Sequence, residues 1–293
     1  MGNRIVLVTG ASGFTGKYLI PELKRYGYRV VGLGHEVSLA DEDIICDLTH
    51  AAAVRVAVEQ VQPTHVVHLG ALAFVAHGDS MVYYDVNLFG TLHLMESLSA
   101  LPEPPQKVLV ASSANVYGAP SIEVIDESVC PAPVNHYACS KLAMEHMVHT
   151  LFDRLPIIIT RPFNYTGVGQ TENFLIPKIV SHFKRRAEKI ELGNLEVSRD
   201  FSDVRDVVAA YVALLESNIR SEVFNICSGR AVALRSVLNT VAHLSEHTLQ
   251  VEVSPAFIRA NEIPVLRGSY DKLARAINFT PRYTLEDTLA WML

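Results

Sequence analysis

The sequence has one tryptophan, four cysteines and no apolar stretch approaching the ~20 residues that a bilayer-spanning helix needs. The cysteines, Cys46, Cys130, Cys139 and Cys227, are scattered and form no C-x-x-C pair. That argues against a disulfide framework or thiolate metal site, and the expectation is free, mostly buried thiols in a reducing cytoplasm. No cationic leader precedes the first apolar run, and Val6 stands where a myristoylation signal needs Ser or Thr. The chain is therefore expected to be cytoplasmic, with no membrane partner. Positive charge is also short. With 25 Lys+Arg against 31 Asp+Glu the net charge is -6, which excludes nucleic-acid binding through bulk charge. It does not exclude a small anionic ligand, which feels local fields. Of the twelve histidines, His65/His68 and His146/His149 are spaced i, i+3, but neither pair has H-E-x-x-H or a carboxylate at ligand spacing. No metal is expected.

What the chain does have is 49% hydrophobic residues over 293 positions, enough for one large domain or two modest ones. Short β-type runs at 5–8, 29–33, 65–68, 107–111 and 157–160 alternate with helical stretches at 16–26, 51–60, 86–99 and 137–151. Continuous Val/Ile/Leu runs belong to strands covered on both faces, so the pattern predicts a Rossmann-type, doubly wound α/β fold with a parallel sheet. After Arg161-Pro162 the rhythm breaks. A Gly/Asn-rich loop at 163–173 precedes a helix near 177–186, a short run at 190–192, a strand–helix unit over 203–227, a helix at 235–245, a strand at 249–253 and two terminal helices. The expected division is 1–165 plus 203–227 for a dinucleotide, and 166–202 plus 228–293 as a smaller α/β substrate domain.

Gly10-Ala11-Ser12-Gly13-Phe14-Thr15-Gly16 follows the first strand and opens the first helix. Gly10 permits a tight turn, Gly13 lets a pyrophosphate approach the backbone, and Gly16 lets the helix pack closely. The helix then offers free N–H groups and a partial positive charge to phosphates. A glycine triplet alone is weak, but this one sits at a strand-to-helix junction. The second strand ends Gly34-His35-Glu36, with glycine where an acidic residue would bind the ribose of NAD. Losing that carboxylate removes repulsion toward a 2′-phosphate, so NADP(H) is favoured, and Glu36 leaves NAD(H) open. Asp47 and Leu48 are placed to receive the adenine, although a loop-capping Asp reads equally well.

Tyr137 and Lys141 stand one helical turn apart on one face. A neighbouring ammonium favours phenolate, whose ordinary pKa is about 10, and equips Tyr137 to exchange a proton with a substrate oxygen while hydride moves at carbon. Ser112 and Ser113 follow the strand at 107–111, at the end where α/β sheets bind ligands, although serines there also serve plain turns.

Together, Thr9-Gly10-x-x-Gly13-x-x-Gly16, His68-Leu69-Gly70-Ala71, Asn87-x-x-Gly90-Thr91, Ser113 and Tyr137-x-x-x-Lys141 resemble the extended short-chain dehydrogenase/reductase superfamily, in its nucleotide-sugar branch. The resemblance covers nearly the whole chain. It implies that Ser113 polarises a carbonyl, Tyr137 moves the proton and Lys141 holds the cofactor ribose. It also implies that Ser12, Phe14, Thr15, His35, Leu69, Gly70 and Ala71 line the cofactor. The 160–170 and 193–207 segments, with Arg259-x-x-Glu262, are similar to those of GDP-4-keto-6-deoxy-mannose reductases. That similarity implies Asn164, Arg199 and Arg259 on the diphosphate and Glu262 on the nucleotide ribose, with Arg161 as a further local cation. Tyr165-Thr166-Gly167 departs from the family's usual His-Ile-Gly and leaves the sugar open. The 4,6-dehydratases carry an acid where this chain has Asn115, which disfavours that chemistry. The expected substrate is a GDP-linked 4-keto-6-deoxy sugar, reduced to a GDP-6-deoxyhexose of the GDP-rhamnose type. The rivals are a nucleotide-sugar 4-epimerase with bound NAD and a catalytically silent NAD(P) sensor. By analogy with such folds, helices 86–99 and 137–151 would pair two copies into a homodimer.

Overall fold

The computed structural model describes residues 4–73, 80–254 and 264–293. Its first unit comprises Met1–Val116, Pro133–Arg161 and Val208–Phe224, and its second Tyr117–Ala132, Pro162–Val207 and Asn225–Leu293.

The first unit is built on a seven-stranded sheet. In chain order its strands are β1 (Ile5–Thr9), β2 (Arg29–Gly34), β3 (Glu42–Ile45), β4 (His65–His68), β5 (Lys107–Ala111), β6 (Ile157–Pro162) and, late in the chain, Glu222–Ile226. The spatial order from one edge is β3-β2-β1-β4-β5-β6, with Glu222–Ile226 beyond β6. The five pairs from β3 to β6 are parallel. Reversal of direction at β1 creates the switch point outside the carboxyl ends of β1 and β4, where doubly wound sheets bind ligands. Helices α1 (Phe14–Arg25), α2 (Ala51–Val61), α3 (Met81–Tyr84), α4 (Gly90–Ser99) and α5 (His136–His149) supply the crossovers. The central strands read Val/Ile/Leu because both faces are covered, and Leu7, Val66, Val108, Val110, Ile157 and Ile159 are all fully buried. A π-helical turn, Asp85–Phe89, runs into α4 and buries Asn87. Such turns disturb the helical ladder locally and recur at functional sites.

The second unit has its own core of Ile176, Ile179, Phe183, Ile190, Val237 and Leu289 among others. It contains β7 (Asn164–Thr166), α6 (Leu175–Lys184), β8 (Lys189–Leu192), β9 (Ser198–Asp203), the start of α7 (Val204–Glu216), then, after β10 (Glu222–Ile226) of the large sheet, β11 (Ala231–Ala233), α8 (Leu234–Ser245), β12 (Gln250–Val253), β13 (Val265–Leu266), α9 (Asp271–Ile277) and α10 (Leu285–Met292). β9 pairs with β11, β13 and β7, and β12 with β8. Asn164, expected in a loop, lies on β7 instead, because three residues of backbone pair in register with Phe201–Asp203. Strands this short leave no periodic trace in sequence. Residues Tyr117–Ala132 belong to this unit through backbone bonds from Ile125 N–H to Arg267 O and from Ser269 N–H to Ile125 O. Cys46 and Cys227 are buried as expected, whereas Cys130 is exposed and Cys139 partly so. No helix among the described residues is long and apolar enough to cross a membrane, and no cluster of three metal-ligating side chains occurs among them.

β4 carries two buried imidazoles. Burial, aided by the Lys141 charge, pushes the His68 ring down to about 3. His65 is pushed down to about 4 by burial first, with Arg4 and Lys107 adding to it and Glu216 opposing. Both stay neutral in the fold at pH values where the unfolded chain protonates them near 6.5. Above pH 6.5 the two states bind equal protons. Below it the unfolded state binds more, so stability falls as pH drops toward 4. The expected loss at pH 5 is about 2 kcal/mol per ring. Urea unfolding at pH 7 and pH 5 measures it, and His65→Gln should lose markedly less over that interval. An identical loss in the variant would contradict the assignment.

Candidate functional site

The glycine loop leaves β1 at its carboxyl end. Gly10 has φ +66°, and a Cβ there would lie 2.9 Å from the Gly70 nitrogen. Only glycine meets both demands. At Gly16 a Cβ would lie 2.1 Å from the Ala11 carbonyl oxygen. This glycine therefore packs the helix against the loop itself rather than against the sheet. α1 starts after Gly13 with no side-chain cap and no acidic residue in its first turn. The positive end of the α1 dipole is therefore not neutralised by a carboxylate of its own first turn. Ser12 is partly buried and His35 exposed. Asp47 accepts hydrogen bonds from the Thr49 backbone N–H (2.9 Å) and hydroxyl (2.8 Å), so it does cap its loop. These bonds, foremost the backbone one, hold its carboxyl below the usual range, with His35 and His50 adding to the effect. Leu48 is buried, and a Cβ on Gly70 would lie 2.8 Å from it. Leu69, Gly70 and Ala71 follow β4 and are partly buried.

A buried polar chain ties this loop to α5. The Gly70 N–H donates to Thr9 Oγ1 (2.9 Å), which lies 2.6 Å from His68 Nδ1. His68 Nε2 lies 2.8 Å from Thr91 Oγ1, whose proton goes to the Asn87 carbonyl (2.7 Å). With its proton committed, Thr91 must accept from Nε2–H. The neutral ring therefore accepts from the Thr9 hydroxyl at Nδ1. Asn87 Oδ1 accepts from the Leu72 N–H (2.8 Å), and Nδ2 donates to Leu72 O (3.3 Å) and Ser140 Oγ (3.0 Å). Ser140 in turn donates to the Tyr137 carbonyl (2.8 Å).

α5 begins where Asn135, in extended backbone, accepts from the Ala138 N–H (2.8 Å). That cap fixes Tyr137 in the first turn. Its ring meets Tyr83 edge-on at 5.9 Å. One turn on, Lys141 is buried and donates to the carbonyl of Ala111, the last residue of β5 (2.8 Å). Burial pushes its ammonium down to about 8, against the opposing pull of Glu145. Two residues beyond Ala111, buried Ser113 accepts from both the backbone N–H (3.2 Å) and side-chain amide (3.1 Å) of Asn115. Ser112 Oγ is buried with no hydrogen-bond partner among the described residues. Lys141 thus fixes α5 to the strand end that carries Ser113.

Arg161 is not available as a diphosphate cation. It is buried and bound twice to Glu145, through Nε (3.0 Å) and Nη2 (2.6 Å). Glu145 stands one turn beyond Lys141, which is the sequence signal that could have revealed it. In the second unit, Asn164 donates to the Asp200 carbonyl (3.4 Å), and Arg199 to the carbonyls of Ser198 (2.9 Å) and Pro264 (3.4 Å). They stand on the paired strands β7 and β9. Asp200, a fully buried residue of β9, accepts from Ser228 and Gly229 in one loop and Gly268 in another and so pins two loops to β9, a role with no motif to announce it. Arg259 and Glu262 lie outside the described residues.

Removing one partner of a buried ion pair leaves the other charge stranded, at about 3–5 kcal/mol. Glu145→Gln is expected to lose stability on that scale, read by urea unfolding. Glu145→Gln combined with Arg161→Met should recover a large part of it. A single variant as stable as the parent would contradict the pairing.

The model of the NAD dependent epimerase/dehydratase family matches residues 6–227. The GDP-6-deoxy-D-talose 4-dehydrogenase of Aggregatibacter actinomycetemcomitans is 36% identical over 95% of this chain and 93% of its own. The GDP-6-deoxy-D-mannose reductase of Pseudomonas aeruginosa is 32% identical over 98% and 95%. Among solved structures, a Burkholderia cenocepacia J2315 protein assigned as an epimerase is 46% identical, with TM-score 0.93 over 99% and 98% of the two chains. RMD from Pseudomonas aeruginosa, complexed with NADPH, is 30% identical, with TM-score 0.86 over 99% and 97%. The chain belongs to the NAD dependent epimerase/dehydratase family, as a relative of its nucleotide-sugar-modifying oxidoreductases.

Proposed function

We propose that the protein is an NAD(P)H-dependent reductase of the 4-keto group of a GDP-4-keto-6-deoxyhexose, yielding a GDP-6-deoxyhexose. The observation that carries this reading is the bond from Lys141, one turn beyond Tyr137 on α5, to the carbonyl of Ala111, two residues before Ser113. The names of two relatives more than 30% identical, both GDP-6-deoxyhexose oxidoreductases, support the substrate class. The first unit would hold the cofactor and the second the nucleotide sugar.

The glycine loop and uncapped α1 fit a dinucleotide diphosphate, since a Cβ at Gly10 would meet the backbone at Gly70 and no carboxylate stands in the first helical turn. Gly10, Ser12, Gly13, Phe14, Thr15 and Gly16 would hold the diphosphate; Asp47, Leu48, Leu69, Gly70 and Ala71 would line the adenosine half. With glycine at 34 and His35 after it, no carboxylate at that position repels a 2′-phosphate, so NADPH is favoured. A neighbour of 30% identity holds NADPH.

The bound nicotinamide would supply hydride to C4 of the sugar. Tyr137 gives its phenolic proton to the oxygen at C4, and Lys141 stabilises the phenolate left behind and binds the cofactor ribose. Asn115 donates twice to Ser113 Oγ, so the serine's own proton is directed away from Asn115 and donates to the substrate carbonyl. Asn164, Arg199 and Arg259 would hold the substrate diphosphate and Glu262 the nucleotide ribose. Arg suits that task through its planar paired donors.

Tyr137→Phe is expected to abolish reduction of GDP-4-keto-6-deoxymannose while leaving NADPH fluorescence titrations within about twofold; undiminished turnover would sink the mechanism. Asn115→Ala should lower kcat by about tenfold or more with little change in KM, because only the direction of a hydrogen bond is lost. A 4-epimerase would instead retain NAD through purification and interconvert sugars without net consumption of cofactor, which absorbance at 340 nm separates.

A further inference from the structure

The opposite end of the same sheet carries a cleft of about 860 Å³ that the proposed reaction does not use. It lies at the amino-terminal ends of the strands, whereas the glycine loop and Ser113 follow the carboxyl ends of β1 and β5. Arg4 precedes β1, Lys107 opens β5, Arg154 precedes β6 and Arg220 precedes β10, and all four line the cleft with two carboxylates, Asp153 and Glu216.

The charges do not balance. Glu216 is already committed to Arg4 and accepts the Tyr28 hydroxyl (2.5 Å), with the Arg4 guanidinium stacked over the Tyr28 ring at 4.0 Å. Lys107 is buried, and the carbonyl of Ile219 is the hydrogen-bond acceptor of its ammonium. Burial, and secondarily the neighbouring Arg220, both push the Lys107 pKa down, with no carboxylate pulling it up. Among the described residues neither Arg154 nor Arg220 makes an ion pair within 4.0 Å, and Asp153 makes none either. A buried ammonium beside a second cation, facing a cleft with a third, is costly unless negative charge arrives to share. The volume is within the range of small-molecule sites, several times what a single phosphoryl group fills.

We propose that this cleft is a second ligand site, for a phosphate-bearing small molecule whose phosphoryl oxygens are bound by Lys107, Arg154 and Arg220. The two arginines offer planar paired donors to the oxygens, and Lys107 contributes the point charge at the floor. Arg4 stays with Glu216 and Tyr28 and forms the wall. A ligand there would bind independently of the glycine loop, since the two sites share no residue.

The probe is inorganic pyrophosphate, titrated by calorimetry into full-length protein saturated with NADPH, so that the glycine loop is filled. The expected result is saturable binding that Arg154→Ala combined with Arg220→Ala weakens by tenfold or more, and that Arg199→Ala leaves unchanged. Both arginines are exposed, so the double variant should keep the parent's circular dichroism and its turnover without pyrophosphate. Lys107→Gln should also weaken binding at least tenfold, tying the buried ammonium to the ligand. Absence of saturable binding at millimolar pyrophosphate, or binding that survives the double change, would overturn the site. Binding lost with Arg199→Ala but kept in the double variant would likewise overturn it, by assigning the pyrophosphate to the substrate diphosphate residues. Because the readout is binding rather than reduction, its failure leaves the proposed reaction untouched, and failure of that reaction leaves this site testable.

Discussion

A hydrogen-bonded chain through an apolar interior fixes the geometry of the first unit. Thr9, His68, Thr91, Asn87 and Ser140 come from β1, β4, the π turn with α4, and α5, and each is buried. A polar group in such surroundings costs free energy unless every donor and acceptor is met. Satisfying all of them permits one arrangement of the four elements. The chain also sets the protonation of its central member. His68 works only as a neutral ring with its proton on Nε2, because Thr91 has already spent its own proton on Asn87. The glycine loop and the helix of Tyr137 are therefore parts of one frame, rather than two motifs brought near by chance.

A second set of buried groups, of opposite character, stands beside the first. Lys141, Glu145 and Arg161 place two positive charges and one negative in the interior. Glu145 binds Arg161 directly and acts on Lys141 through space, one turn away along α5. Burial lowers the tendency of Lys141 to stay charged, and Glu145 partly restores it. The outcome is an ammonium near its titration range, held by a backbone carbonyl at the end of β5. That position suits a group meant to steady a phenolate rather than to form a permanent ion pair. Arg161 shows the reverse. Its place in a similar-looking segment suggested phosphate binding, yet its charge is consumed inside the protein.

Both ends of the sheet gather polar side chains and backbone from distant parts of the chain for the same structural reason. Parallel strands expose all their carboxyl ends on one side and all their amino ends on the other, and loops at each side bring residues from distant parts of the chain together. At the carboxyl end this gathers glycine, serine and tyrosine. At the amino end it gathers Arg4, Lys107, Arg154 and Arg220, which are far apart in sequence and share no motif.

The sequence by itself determined the class of the fold and named the groups proposed to react. Continuous apolar runs dictate buried parallel strands. A glycine triplet at a strand-to-helix junction and a Tyr/Lys pair at helical spacing are local patterns, and each survives in the structure with the conformation its spacing required. Long, strongly patterned segments such as α1, α5 and β5 were legible for that reason. The short strands β7, β11 and β13 were not, because two or three residues hold no period and their pairing is decided by β9. Only the tertiary structure decided the partners: Asn115 on Ser113, Glu145 on Arg161, Asp200 on its two loops, and the cations around Lys107. These depend on which atoms meet after the chain has folded, and contact between residues separated by up to a hundred or more positions leaves no mark on either one alone.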